Sequence, residues 1–82
     1  MTNRSQGIVD AVDAASVPST NQAARRVLVN RDGAPQVCFF IPKDGPAPAY
    51  GDAIEWGPHH CHFNGQTVKK LTWALDPNAP IR

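Results

Sequence analysis

The residues with the clearest chemical capacity are four consecutive side chains, His59, His60, Cys61 and His62, which supply three imidazoles and one thiol. Imidazole and thiolate are ligands that zinc binds well. If this segment is a strand, His60 and His62 project from one face, and His59 and Cys61 project from the other. The four side chains cannot then surround one ion, so a metal site here needs a ligand from elsewhere in the chain.

The predicted zinc set joins this segment to the other cysteine and consists of Cys38, His59 and Cys61. Asp52 or Glu55 is the candidate fourth ligand. Zinc motifs usually carry paired ligands across a loop, and this chain lacks that spacing. A small zinc-binding β module is therefore the alternative function, and a disulfide between the two cysteines is a further hypothesis. If neither the zinc site nor the disulfide forms, the histidines would lie on a half-exposed strand and hydrogen-bond through their ring nitrogens.

Catalytic chemistry has less support in the sequence. Cys61 lies between histidines, as an activated thiolate would, but adjacent strand residues point apart, and the sequence places no orienting Asn or Asp beside it. The sequence contains no phosphate-binding glycine loop, no paired catalytic carboxylates and no internal repeat. We therefore predict a protein that is not an enzyme and has no cofactor, unless the zinc set forms.

The histidine cluster leads into the strongest structural signal of the chain, the dipeptide Asn64-Gly65. Between two runs of strand character, this dipeptide is typical of a two-residue type I′ turn. The turn places Phe63 opposite Gln66 and fixes the register of the strands on either side. It predicts a β-hairpin over Ile54–Leu75.

Extended to the open end of this hairpin, the same register places Trp56 opposite Trp73. Such a cross-strand aromatic pair would add up to about 1 kcal/mol to the stability of the sheet. The dipeptide Gly57-Pro58 is where the register can fail. A bulge there would turn the two tryptophans to opposite faces, and a full turn would make residues 53–56 a separate strand.

An earlier hairpin is predicted over Val27–Ile41, with Gly33 in the left-handed conformation of its turn. Its second strand places Phe39 on one face and Phe40 on the other, so both faces carry apolar side chains. Residues 43–50 contain Gly and Pro and predict an irregular loop. Together the hairpins predict a mainly β fold, namely a small antiparallel sheet or a partly open barrel of four or five strands.

The aromatic residues mark a boundary within the chain, because all of them lie between Phe39 and Trp73. We predict an N-terminal arm over residues 1–24 that is weakly structured or ordered by a partner. A compact β body over residues 25–76 and an extended tail over residues 77–82 complete the predicted organisation.

Within the predicted arm, Ile8, Val12 and Ala15 recur at helical spacing. A helix this short does not persist alone in water. We therefore predict that the arm is either extended or a short amphipathic helix that lies on another surface.

The charge balance narrows the classes of partner. The chain has 8 Lys and Arg against 7 Asp and Glu, a formal net charge of +1, so it lacks the basic field that general nucleic-acid binding requires. The N-terminal segment has neither a basic start nor a continuous apolar run. These features predict no signal peptide and no membrane contact, and a location in the cytoplasm or in a virion.

Only 41% of the residues are hydrophobic, and many of these are alanine, so the predicted core is thin. A core of this size rarely supplies more than about 3–5 kcal/mol, and a partner surface would add to it. We predict a protein-binding accessory subunit of a larger assembly, such as a virion cement or tail component, a small inhibitor or a homo-oligomer. It would dock through the arm and an apolar strand face. The predicted partner-binding residues are Ile8, Val12, Phe40 and Tyr50.

Overall fold

The computed structural model describes residues 5–75, and this part of the chain contains six β-strands and no helix. The strands are β1 (Ser5–Ser16), β2 (Ala23–Arg31), β3 (Ala34–Pro42), β4 (Ala53–Trp56), β5 (His60–Phe63) and β6 (Gln66–Lys69). They form one antiparallel sheet in the order β3-β2-β1-β4-β5-β6. The mainly β prediction is confirmed, with six strands where four or five were expected. Among the described residues, therefore, no helix has the length and hydrophobicity to span a membrane.

Strand β1 lies in the centre of the sheet, where it pairs with β2 along one edge and with β4 along the other. The prediction of an arm separate from the body over residues 1–24 is therefore wrong for Ser5–Ser16, which belongs to the body. Of the two conformations predicted for the arm, the extended one is correct. Residues 1–4, residue 76 and the predicted tail over residues 77–82 lie outside the described residues.

The helix-like spacing of Ile8, Val12 and Ala15 does not mark one face of β1. Val12 contacts the main core, Ala15 packs against a smaller cluster around Phe40, and Ile8 is 48% exposed. The register of β1 against β2 shifts between Val9 and Ala11, which is the mark of a β-bulge. A bulge changes which face the following residues occupy, so Val9 and Val12 both contact the main core although they are three positions apart. Apolar residues spaced three or four apart are thus compatible here with a bulged strand.

The hairpin predicted over Val27–Ile41 is confirmed by the pairing of β2 with β3, which places Val27 opposite Phe39. Gly33 has a φ of 69°, the left-handed conformation expected in this turn. Both faces of β3 are covered by the chain itself. Phe39 and Ile41 belong to the main core, whereas Phe40 packs in a smaller cluster with Val17 and Ala24.

The predicted turn between β5 and β6 is also confirmed. Asn64 and Gly65 have φ values of 51° and 76°, as a type I′ turn requires. Phe63 faces Gln66, and the pairing continues in the predicted register as far as His60 opposite Lys69.

Beyond that point the predicted register is wrong, because the chain turns at Gly57-Pro58. Pro58 cannot donate to a strand ladder, and the N–H of Gly57 closes the turn by donating to the carbonyl of His60 at 2.9 Å. Ala53–Trp56 consequently forms the separate strand β4, with Trp56 opposite Cys61. The predicted pair of Trp56 with Trp73 does not form.

The main core lies on one face of the curled sheet, and all strands contribute to it. Its buried members are Val9, Val27, Val29, Phe39, Ile41, Ile54, Trp56, Cys61, Phe63 and Val68.

The segment after β6 brings the chain back to the opposite edge of the sheet. The N–H of Leu71 donates to the carbonyl of Phe40 at 2.7 Å, and Cys38 and Leu75 exchange two backbone hydrogen bonds of 2.8 and 2.7 Å. The sheet is therefore partly closed by this segment, and the segment positions the candidate site.

Candidate functional site

The histidine cluster is divided by strand β5. His60 and His62 project outward, and Cys61 is buried in the main core between Trp56 and Val68 of the neighbouring strands. The ring of His62 is held by a 3.0 Å hydrogen bond between Nδ1 and the hydroxyl of Thr67. The alternation predicted from sequence is correct for these three residues.

The predicted zinc set is not brought together. Cys61 is in the main core with Phe39, whereas Cys38 follows Val37 and precedes Phe39 on β3 and so projects from the opposite face. His59 lies outside both clusters and is exposed. Within residues 5–75, no three His, Cys, Asp or Glu side chains are grouped in a way that could hold a metal ion.

The same geometry bears on the disulfide hypothesis. Both cysteines are buried thiols, and they lie on opposite faces of the sheet. A disulfide requires Cβ atoms about 4 Å apart, which two such positions do not provide.

Two of the four predicted partner-binding residues are accessible. Ile8 is 48% exposed and Tyr50 is 80% exposed. Phe40 is buried beneath Val17, Ala24 and Leu71, so the prediction is wrong for Phe40. Val12 is half-buried against the main core. The chain's own residues therefore cover Phe40.

Tyr50 lies in a loop that several hydrogen bonds hold in place. The carboxylate of Asp52 accepts hydrogen bonds from the N–H of Ala49 at 2.9 Å and from Nδ2 of Asn64 at 3.0 Å. The N–H of Gly51 donates to the carbonyl of Val9 at 2.8 Å. The hydrogen bonds from Ala49 and Asn64 lower the pKa of Asp52 below its ordinary value, because they favour the charged carboxylate.

A site that the sequence analysis did not identify lies beside the turn at Gly57-Pro58. Two adjoining cavities of about 250 and 180 Å³ share Pro58, Lys70 and Trp73 as lining residues. Trp73 is 64% exposed, and its ring lies against the ring of His59 with 5.6 Å between centroids. We term this site the Trp73 cleft.

The local sequence explains the cleft. The turn at Gly57-Pro58 separates β4 from β5 and leaves two carbonyls, those of Gly57 and His59, facing the end of β6. Lys70 uses both, because its N–H donates to the carbonyl of His59 at 2.8 Å and its Nζ donates to the carbonyl of Gly57 at 2.7 Å. The following residues then leave the sheet toward β3, which places Trp73 at the rim.

Lys70 is the unusual residue of the cleft, because it is a lysine with only 5% of its surface exposed. Its Nζ lies 5.2 Å from the centroid of the Phe39 ring, in a cation–π arrangement. Burial lowers the pKa of Lys70, because the charged ammonium loses hydration.

Burial raises the pKa of Cys61 to about 11, and the positive charge of Lys70 partly opposes this shift. A thiol of this kind is a packing residue, because thiolates and not thiols act as nucleophiles.

We predict that Cys61 reacts slowly with thiol reagents in the folded protein. In a Cys38→Ala variant at pH 8, Ellman's reagent should modify Cys61 at least about 100-fold more slowly than in denaturant, because the thiolate is scarce and shielded. Equal rates in the two conditions would contradict the burial of Cys61. When the native sequence is denatured without reductant, Ellman's reagent should detect two free thiols per chain. Detection of none would support the disulfide hypothesis.

The sequence contained a signal for the buried lysine. The turn at Asn64-Gly65 places Val68 on the core side of β6, and Lys70 is two positions further along and therefore on the same side. Lysine is rarely buried, however, so residue type alone predicts a solvated side chain at this position. The position of Trp73 had no comparable signal, because it depends on a turn that the sequence left open.

No family model matches this chain, and the searches of curated proteins and of solved structures likewise gave no match.

Proposed function

We propose that this chain is a non-enzymatic protein-binding accessory module that docks a partner in the Trp73 cleft. The proposal rests on one observation, the exposed ring of Trp73 beside two cavities that the buried Lys70 also lines. Tryptophan is enriched among the residues that dominate binding energy at protein interfaces. The classes of protein we propose for it are virion cement or tail components and small enzyme inhibitors.

Two further observations support a binding role over a catalytic one. The thiol of Cys61 is buried with a raised pKa, and the histidines on either side of it project away from it. The cleft is also held by backbone hydrogen bonds on both sides of Lys70, so it exists before a partner arrives. A preformed site loses less conformational entropy on binding.

The proposal replaces the predicted docking surface on Ile8, Val12, Phe40 and Tyr50, because Phe40 is buried and Val12 is half-buried against the main core. Ile8 and Tyr50 remain exposed and form the competing surface. Trp73 is favoured because a ring beside a cavity can be enclosed on binding, whereas Tyr50 projects from a loop with 80% of its surface in solvent.

The test is selection of a phage-displayed random peptide library on the full-length protein, followed by affinity measurement on variants. Peptides enriched on the native protein should bind Trp73→Ala at least about 30-fold more weakly, which corresponds to about 2 kcal/mol. Tyr50→Ala is the matched control, and its affinity should stay within about twofold of the native value, as for an exposed residue outside the interface.

Two outcomes would overturn the proposal. Enriched peptides that tolerate Trp73→Ala and lose affinity for Tyr50→Ala would place the interface on the loop. A dimer of the native protein that dissociates in Trp73→Ala, measured by sedimentation, would assign the cleft to a second copy of this chain.

A further inference from the structure

Lys70 carries a charge that no acid neutralises in the described part of the chain. The side-chain ion pair found in residues 5–75 joins Arg26 to Asp13 at 3.4 Å, and it does not involve Lys70. The partners of Nζ there are the carbonyl of Gly57 at 2.7 Å and the face of Phe39. An ammonium has three N–H donors, and the carbonyl accepts one of them.

A buried cation without an anion is unfavourable, because desolvation is not offset by Coulomb attraction. The loss of hydration has already occurred in the free protein, since only 5% of Lys70 is exposed. An anion that reaches Nζ is therefore attracted by the ammonium charge, and only the desolvation of the anion itself opposes binding.

The residues that line the cleft favour an anion. Both cavities border Lys70, and Pro58 and Trp73 are also among the residues that line them. His59 also lines the smaller cavity, and its ring lies against that of Trp73. Among residues 5–75, no Asp or Glu lines either cavity.

Resting on the proposed function, we infer that the Trp73 cleft recognises an acidic side chain of the partner protein. Its carboxylate binds Nζ of Lys70, and a neighbouring apolar side chain of the partner lies on the ring of Trp73. A charge-assisted hydrogen bond between ammonium and carboxylate is about twice as strong as a neutral one.

The test is an NMR titration of the uniformly ¹⁵N-labelled full chain with two capped dipeptides, N-acetyl-Leu-Glu-amide and N-acetyl-Leu-Gln-amide. The Glu probe should shift the indole N–H of Trp73 saturably, with a Kd in the millimolar range. The Gln probe, which differs by one charge, should bind at least about tenfold more weakly. Because this comparison uses the native protein, it holds even if a variant fails to fold.

Variants then assign the charge. Lys70→Met keeps an unbranched apolar stem on Phe39 and should reduce the affinity for the Glu probe to that for the Gln probe. Lys69→Met is the matched control, because Lys69 is the adjacent exposed lysine, and it should bind the Glu probe within about twofold of the native protein.

Equal affinity for the two dipeptides, or a Lys70→Met variant that binds the Glu probe normally, would overturn this inference. Preference for N-acetyl-Leu-Leu with a free carboxylate over the Glu probe would also overturn it, because the cleft would then take a chain terminus. Each of these results leaves the proposed function intact if library peptides still require Trp73. Loss of the Trp73 dependence would instead contradict the proposed function.

Discussion

Replacing Gly7 with alanine should cost about 3 kcal/mol or more of the free energy of unfolding, enough to leave much of the protein unfolded. Gly7 lies in β1 opposite Ile54 of β4, at the centre of the sheet. A Cβ at this position would collide with the backbone carbonyl oxygen of Asn30 and lie 2.6 Å from Cγ1 of Val29. Asn30 and Val29 belong to β2, which is fixed by its pairing with β3. Neither residue can move away without disturbing that pairing.

The control for this substitution is Gly45→Ala in the loop between β3 and β4. A Cβ there would meet nothing closer than the carbonyl oxygen of Pro42, at 3.9 Å. We expect a change within about 0.5 kcal/mol, measured for both variants by urea denaturation followed by tryptophan fluorescence. Equal midpoints for the two variants would show that β1 does not cross β2 closely, and would favour the separate arm predicted from sequence.

The two turns that the sequence predicted correctly depend on local chemistry. Gly33 and the dipeptide Asn64-Gly65 have positive φ, which Gly and Asn adopt at little cost, and the strands beside each turn follow from it. The register around Asn64-Gly65 was predictable because a two-residue turn fixes which residues face each other. These features require no knowledge of the rest of the chain.

The central strand was missed because its stability comes from distant partners. β1 contains Gly, Ala, Ser and Asp, which have weak strand preference, and the bulge after Val9 interrupts the alternation of apolar residues. Pairing on both sides, with β2 and β4, outweighs these local preferences. Composition alone could not show that this segment completes the core.

The Trp73 cleft was missed for a related reason. It requires Gly57-Pro58 to turn the chain fully, and the sequence allowed a bulge equally well. Once the turn forms, Trp56 enters the core against Phe39 and Trp73 is left at the surface. The cleft is thus a consequence of the same turn that corrected the hairpin register.

Phe39→Ala is expected to be the second severe substitution, with a loss of about 3–5 kcal/mol. Phe39 is fully buried in the main core and packs against Trp56 with 5.7 Å between ring centroids. Its ring also lies beneath Nζ of Lys70, so truncation removes both packing and a cation–π contact. The same urea titration measures the loss, and the fluorescence of Trp56 reports on the cavity directly.

Phe40→Ala is the matched control for Phe39→Ala, because Phe40 is the next residue of β3 and is also buried. It belongs to a cluster with two other buried side chains, Val17 and Ala24, on the opposite face of the sheet. The cost of truncation rises with the volume of the cavity that remains, and a small cluster at the surface can collapse or admit water. Phe40→Ala should therefore lose clearly less stability than Phe39→Ala. The reverse order would mean that the main core lies on the face of Phe40, and the position of Lys70 above Phe39 would then no longer support an anion site.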